Sequence, residues 1–300
     1  VLPDEVAPIE EIRERRRRIF KRKDAAVQAR KLVHIKINVD GPIAIAVFGD
    51  IHIDNPGCNF PLLEEHTALV KRTDGMFAAC VGDLQDAWVG RLARLWANQG
   101  VTAREAWKLV HWWLDELADK LLWVTEGNHD TWAFGVNSVS LVDWIVSKNG
   151  GVTDTDALRL SMDLPGGHSI VVNCRHDFRG KSQYNAAHGM TKAALMGWRD
   201  DVLVAGHTHQ FGYNPVKDPM TGRVSHPVRV ASYKVHDEYA KERGLPDENI
   251  TECFVIMCDP AEEDERHRVW IEFNPFRAAR ILKHLRADWA KRARRDARHP

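Results

Sequence analysis

No apolar run among the 300 residues approaches the roughly 20 that a membrane-spanning helix requires. The first thirty residues are charged throughout, so no signal-peptide core is read there. Together these absences lead us to expect a cytoplasmic protein, neither secreted nor inserted in a membrane. Cysteine is also scarce: there are five, an odd number with no C-x-x-C pair, which argues against a disulfide framework. Cys80, Cys174, Cys253 and Cys258 read as small buried hydrophobes, and Cys58 as one that could lie near a site. Internal repeats and low-complexity linkers are absent. Net charge is absent too, since 42 Lys and Arg balance 42 Asp and Glu. What is present, 44% hydrophobic and 28% charged residues, is the composition of a globular chain long enough to bury a full core.

The zero balance conceals an uneven distribution. Residues 1–33 carry 10 basic and 6 acidic residues, and residues 277–300 carry 9 and 2. The remainder holds 23 basic and 34 acidic residues. An acidic body between basic ends suits metal-binding carboxylates in the body, anion-binding ends, or both. Solvated helix faces at Arg15–Arg18 and Arg292–Arg295 are the plainer reading of the ends.

Residues 5–31 read as an amphipathic helix with a thin apolar side of Ile9, Ile12, Ile19 and Phe20. Ile43–Phe48 is a short continuous apolar run, the pattern of a strand buried on both faces. Similar runs recur at Phe77–Val81, Leu121–Thr125, Ser169–Cys174 and Val202–Ala205, with helical stretches at Leu62–Arg72, Thr102–Leu117 and Ser138–Lys148 between them. Such alternation predicts an α/β fold with a largely parallel sheet. Beyond residue 210, the runs Phe211–Lys217, Val228–Tyr233, Cys253–Cys258 and Val269–Phe273 follow without a long helix, which predicts an antiparallel half. A helix is expected from about Arg277 to Arg295. The organisation expected is a basic helical arm over 1–40, one domain over 41–275 and a basic helix over 276–300.

Nearly every apolar run of the first half ends in metal-ligand residues. They are Gly49-Asp50-Ile51-His52, Gly82-Asp83, Gly127-Asn128-His129-Asp130, Arg175-His176-Asp177 and Gly206-His207-Thr208-His209. In an open α/β sheet the carboxyl ends of the strands form one edge, where ligands bind. Five clusters of Asp, Asn and His at one edge can hold two divalent cations. The mixture of imidazole, carboxylate and amide oxygen suits manganese first, with iron, zinc or magnesium as alternatives.

D-x-H, G-D, G-N-H-D, a lone His and G-H-x-H, in that order from Asp50 to His209, resemble the calcineurin-like metallophosphoesterase superfamily. The resemblance implies a four-layer α-β-β-α sandwich with two mixed sheets and a dinuclear metal site at the strand ends. It implies one metal held by Asp50, His52, Asp83 and His209, and a second by Asp83, Asn128, His176 and His207, with Asp83 bridging. His168 and His188 flank His176, and His188 is the alternative at that position. His129 would face the substrate, oriented by Asp130. Two cations clamp both the entering and leaving oxygens of an in-line displacement, with metal-bound hydroxide as the nucleophile.

Asp86 makes the second motif G-D-x-x-D. Ala87-Trp88 stands where the protein-phosphatase branch usually has Arg-Gly, and Asp130 follows His129 in place of Glu. Both departures count against a protein phosphatase. Trp88 and Trp132 could stack on a base or simply pack under loops, and Arg175, Arg179 and Lys181 surround His176. The function expected is a phosphodiesterase, a candidate nuclease, acting on nucleic acid or nucleotides, with DNA or RNA held through the basic terminal helices. The alternatives are a phosphomonoesterase acting on a small molecule or phosphoprotein, and a catalytically silent binding scaffold.

Overall fold

A computed structural model describes residues 6–137, 140–155, 157–164, 167–236 and 253–296. The described helices are α1 (Ile9–Ala29), α2 (Phe60–Arg72), α3 (Ala103–Glu116), α4 (Asn128–Asn137), α5 (Leu141–Lys148), α6 (His188–Leu195) and α7 (Pro275–Asp296), with a 3₁₀ stretch over Gly90–Asn98. The strands are β1 (Val33–Lys36), β2 (Ile43–Phe48), β3 (Met76–Cys80), β4 (Leu121–Glu126), β5 (Val152–Thr155), β6 (Ala157–Asp163), β7 (Ser169–Arg175), β8 (Val202–Ala205), β9 (Gly212–Tyr213), β10 (Val216–Lys217), β11 (Val224–Arg229), β12 (Cys253–Cys258) and β13 (Val269–Glu272).

They build two mixed sheets. One runs β13-β12-β2-β3-β4-β5, parallel from β2 to β5 and antiparallel at β12. The other runs β1-β6-β7-β8-β11-β10, with β9 also paired to β11. Side chains of a strand alternate between faces, and β2 shows the consequence. Ile43, Ile45 and Val47 face the second sheet, where they meet Leu160, Val172, Val204 and Val228. Ala44, Ala46 and Phe48 face the helical layer and pack with Leu63 of α2, Trp113 of α3, Val142 of α5 and Leu282 of α7. On the outer face of the second sheet, Met190 and Ala194 of α6 cover Leu203 and Ala205. The result is the four-layer α-β-β-α sandwich.

Several local expectations change. β1, β5 and β6 are short or carry polar residues and break the apolar-run signal. The half beyond residue 210 is not wholly antiparallel, because β11 pairs with β8 in parallel. Residues 33–36 belong to a sheet and not to the N-terminal arm, since β1 pairs with β6. The arm is α1, which buries no residue and is tied by Arg30 Nε to Asp154 Oδ2 at 2.8 Å. α7 is not an appendage, because Ala278 and Leu282 lie fully inside the core. Residues 1–5, 237–252 and 297–300, within the three expected regions, lie outside the described residues.

α7 also places its basic end. Arg286 bonds Asp74 and the carbonyls of Asp40 and Pro42, and Trp289 covers Gly41. These residues precede β2 and β3, so Arg292, Arg294 and Arg295 emerge at the amino edge of the sheet. The metal-ligand clusters lie at the carboxyl edge, roughly 20 Å away along six-residue strands.

One buried base of this core titrates abnormally. His66 Nδ1 lies 2.7 Å from the Tyr233 hydroxyl, and burial pushes the imidazole down to about 4 from 6.5. The unfolded chain takes up this proton near 6.5 and the folded chain does not. Its contribution to stability is therefore complete above 6.5 and lost as pH falls toward 4, by roughly 3 kcal/mol. His66→Gln is expected to lose less stability than the wild type between pH 7 and 4, measured as urea midpoints. Parallel losses in both proteins would remove His66 as the cause.

Candidate metal centre

Among the described residues, five of the six non-glycine positions with positive φ are candidate ligands: Asp50 (44°), His52 (44°), Asp83 (52°), His207 (72°) and His209 (58°), the sixth being Ala87. Left-handed backbone costs an L-residue about 1–2 kcal/mol, so it persists only where the surroundings over-determine it. Here it lets the chain leave each strand sharply, so that residues i and i+2 of D-x-H and H-x-H point into one space. The ladder continues past the strand ends to hold these turns. Asp50 N–H donates to Gly82 O (3.1 Å), His52 N–H to Asp83 O (3.0 Å) and Gly206 N–H to His176 O (3.1 Å). Two glycines are required by close approach: a Cβ on Gly127 would overlap Asp83 Oδ1, and one on Gly206 would overlap Asp50 Oδ2.

Asp50, His52 and His209 offer donor atoms all within 4.8 Å of one another, and so do Asp83, His176 and His207. Asp83 Oδ2 stands 3.2 Å from His176 Nε2 and 4.0 Å from both His52 Nε2 and His129 Nε2. Asn128 Oδ1 lies 3.0 Å from His176 Nε2. Thus all seven named ligands share one edge, with Asp83 between the two groups.

The tautomers fit cations. His176 Nδ1–H donates to Val81 O at 2.8 Å, so in the neutral ring Nε2 is the acceptor. His52 Nδ1 faces Asp86 Oδ1 at 2.7 Å, which likewise frees Nε2. A carboxylate or carbonyl behind a ligating imidazole fixes its ring and raises its basicity. The Nε2 atoms of His52 and His209 then meet at 3.2 Å, and Asp50 Oδ1 is buried without a hydrogen-bond partner. These acceptors converge where a cation would satisfy them.

Charge leads to the same conclusion. Asp50, Asp54, Asp83, Asp86 and Asp130 are all at most 3% exposed. Burial raises Asp50 to about 7 against relief from His176. Asp83 is also pushed up by burial, but the hydrogen bond and charge of His176, with His129 and His52, hold it well below the carboxylate range. Burial lowers His176, and Asp83 overcomes this to bring it to about 10. His176 therefore carries a second proton on Nε2, shared with Asp83, which a bound cation would displace. Cys58 does not supply a thiolate: burial first, then Asp54 and Asp86, push its thiol up to about 12.

One expected pairing is corrected. Asp130 does not orient His129. Its carboxylate accepts the backbone amides of Asp83 (2.8 Å), Leu84 (3.1 Å) and Gly127 (2.8 Å), so it braces the turns that carry Asp83 and Asn128. A carboxylate at the third helical position can reach back to the amide of the N-cap residue, and Asp130 stands in the first turn of α4. His129 is held instead by the Asp86 carbonyl, to which Nδ1–H donates at 2.5 Å. Burial, then the His52 charge, lowers its imidazole to about 4. The rings of Trp88 (5.3 Å, 72°) and Trp132 (4.2 Å, 44°) flank it. His188 opens α6, and His168 bonds Arg268 at 3.1 Å; neither joins the cluster.

Four contributors lie outside the motifs. Arg229, 2% exposed, bonds Asp177 Oδ1 at 2.9 Å and the carbonyls of Ala186 and Gly206, bracing the loops of His176 and His207. A charged residue closing the apolar strand β11 was its signal. Lys234 Nζ lies 3.9 Å from Asp86 Oδ1 and 5.7 Å from the Trp88 ring, and nothing in its local sequence marks it. Asp54 and Gln99 lock Asp86: Asp86 N–H donates to Asp54 Oδ1 at 2.8 Å, and Gln99 Nε2 to Asp86 Oδ2 at 2.7 Å.

No family model and no curated protein matches the chain. Among solved structures it is similar to Vps29 from Entamoeba histolytica in complex with zinc, at 13% identity over 77% of this chain and 100% of that one, with a TM-score of 0.37. It is similar to the calcineurin-like phosphoesterase YfkN from Bacillus subtilis at 12% identity, over 82% and 99% of the chains, with a TM-score of 0.38. A third is the NAD nucleotidase of Haemophilus influenzae, at 12% identity over 77% and 49%, with a TM-score of 0.38. Likeness of this degree says nothing of activity. No helix among the described residues is long and apolar enough to cross a membrane.

Proposed function

We propose that this chain is a calcineurin-like metallophosphoesterase holding two divalent cations, and that it acts as a phosphodiesterase on nucleic acid or nucleotides. The observation that carries the reading is the convergence of two donor groups on Asp83, in each of which two imidazole nitrogens face one another at 3.2 Å. Asp50, His52, Asp83 and His209 would hold one cation, and Asp83, Asn128, His176 and His207 the other. When bound, two such cations activate water and neutralise phosphoryl oxygens.

The protein's own groups do the rest. Asp86 orients His52 through its carboxylate and His129 through its carbonyl. With Nδ1–H committed to that carbonyl, His129 Nε2 is the atom left to face a phosphate ester. Once protonated, Nε2–H can donate to the leaving oxygen or to an equatorial phosphoryl oxygen. Trp88 and Trp132 keep this imidazole from turning and keep bulk water from it. The motif departures at Ala87-Trp88 and Asp130 favour a diester over a phosphoprotein.

Bis-p-nitrophenyl phosphate and p-nitrophenyl phosphate, each with Mn, Zn or Mg and run beside a single-stranded DNA digest, test the reading. Faster hydrolysis of the diester with DNA cleavage is expected. Preference for the monoester would make the protein a phosphomonoesterase, and no hydrolysis with any metal would make it a binding scaffold.

A further inference from the structure

The basic end of α7 lies at the amino edge of the sheet, away from the metal-ligand clusters. The basic block of α1 is placed differently. Residues 15–23, RRRRIFKRK, hold seven basic and no acidic residues. Every residue from Arg13 to Arg30 is exposed, so α1 does not lie back along the sandwich but projects from it. Arg17 pairs with Glu14 at 3.3 Å. Among the described residues, Arg15, Arg16, Arg18, Lys21, Arg22 and Lys23 have no carboxylate within 4.0 Å. Arg18 and Arg22, four residues apart, repel one another across one turn. A polyanion would relieve that repulsion.

The root of α1 stands on the metal-ligand edge, and both sheets place it there. Arg30, the residue after the helix, bonds Asp154 Oδ2 at 2.8 Å and the Thr153 carbonyl at 2.5 Å. β5 runs parallel to β4 with Asp154 beside Thr125, and Asn128 follows Thr125 by three residues. In the second sheet Val33 is paired with Leu160, and Ala157 at the start of β6 with Arg175, the neighbour of His176. Continuing the β1–β6 register by three residues brings Arg30 level with Ala157. Strand spacing puts the Asp154 tether on the order of 10 Å from Asn128. The middle of the basic block lies about 15 Å beyond the root along the helix.

The pattern on α1 selects the class of anion. Ile9, Ile12, Arg16, Ile19 and Lys23 recur every three or four residues and so share one side. The apolar side is therefore interrupted by charge, which suits a bilayer poorly. The remaining basic residues surround the helix, and Phe20, 69% exposed, stands among them. Cationic groups interleaved with an exposed ring are a means by which proteins hold a nucleotide chain.

We propose that α1 is an arm that binds a polynucleotide and holds the strand at the metal-ligand edge, with Arg15, Arg16, Arg18 and Arg22 on its phosphates. The proposal rests on the phosphodiesterase reading and narrows its substrate to a polymer. A dinucleotide, with its single phosphate at the metal centre, does not span the distance to the arm, whereas a longer strand does.

A full-length variant carrying Arg15→Gln, Arg16→Gln, Arg18→Gln and Arg22→Gln tests it, since glutamine matches arginine in helix propensity. Circular dichroism and the melting temperature should be those of the wild type. Anisotropy of a fluorescent phosphorothioate oligothymidylate across a salt series should show binding weakened by on the order of 10² and a log–log slope smaller by roughly 2.8, or about 0.7 per phosphate contact. On unmodified oligothymidylate the variant should raise KM by about the same factor, while rates on a thymidine dinucleotide and on bis-p-nitrophenyl phosphate stay unchanged. Arg292→Gln, Arg294→Gln and Arg295→Gln together should leave the slope as it is. An unaltered slope in the α1 variant, no salt-dependent binding by the wild type, or a loss confined to the α7 variant would each overturn the proposal. So would weakened binding with an unchanged KM on the oligonucleotide, or binding to phosphatidylserine vesicles in place of oligonucleotide. Wild-type hydrolysis of bis-p-nitrophenyl phosphate judges the phosphodiesterase reading independently.

Discussion

Asp83→Asn is expected to lose both metal ions and to lower diester hydrolysis by on the order of 10³ or more. Asp83 Oδ2 is the oxygen that faces both donor groups, at 3.2 Å from His176 Nε2 and 4.0 Å from His52 Nε2. An amide nitrogen there would present hydrogens, not lone pairs, to both positions and would remove the one charge they share. His209→Ala and His176→Ala each open only one group, so each should lose mainly one ion. The main-chain amide of Asp83 still reaches Asp130 in the variant, so the turn survives. Metal analysis by mass spectrometry is the direct measurement. Two ions per chain retained in Asp83→Asn would sink the bridging assignment.

His129→Ala is expected to keep both ions while lowering kcat on a dinucleotide by on the order of 10²–10⁴. The alkoxide leaving group of a dinucleotide needs a proton, and nitrophenolate needs almost none. The loss on bis-p-nitrophenyl phosphate should therefore be the smaller if Nε2 serves as a general acid. Equal losses would point to stabilisation of the phosphoryl oxygens instead. Asp130→Ala offers a contrast, because it strips three backbone amides of their acceptor and leaves His129 on the Asp86 carbonyl. Its effect should fall on stability and on both substrates alike. Wild-type rates in His129→Ala on both substrates would remove that residue from the mechanism.

The site was legible because metal chemistry restricts residue type. Few side chains ligate divalent cations, and short apolar strands ending in Asp, Asn and His can be recognised without knowing how the strands pair. The orienting groups were less legible. The Asp86 carbonyl holding His129 is backbone, and backbone acceptors leave no mark on residue identity. Arg229 and Lys234 come from distant segments, and they acquire their roles only when β11 and the following loop are brought beside β8 and β2. The fold divides similarly. β2, β3, β4, β7 and β8 announce themselves because they are buried on both faces, whereas β1, β5 and β6 sit near the edges, where a polar face breaks the pattern.

The sequence by itself determined the candidate ligand set: ligand-type residues in order, each near the end of a strand, with glycine placed where close approach demands it. Tertiary structure decided which charges stand near that set. Arg292–Arg295 read on paper as a candidate anion-binding end. The direction in which α7 runs back along β2 carries them to the amino edge, while the candidate ligands stand at the carboxyl edge. Charge acts over about 10 Å at ordinary salt, so position across a strand some 20 Å long, and not composition, decides whether a substrate at the metal centre can feel them.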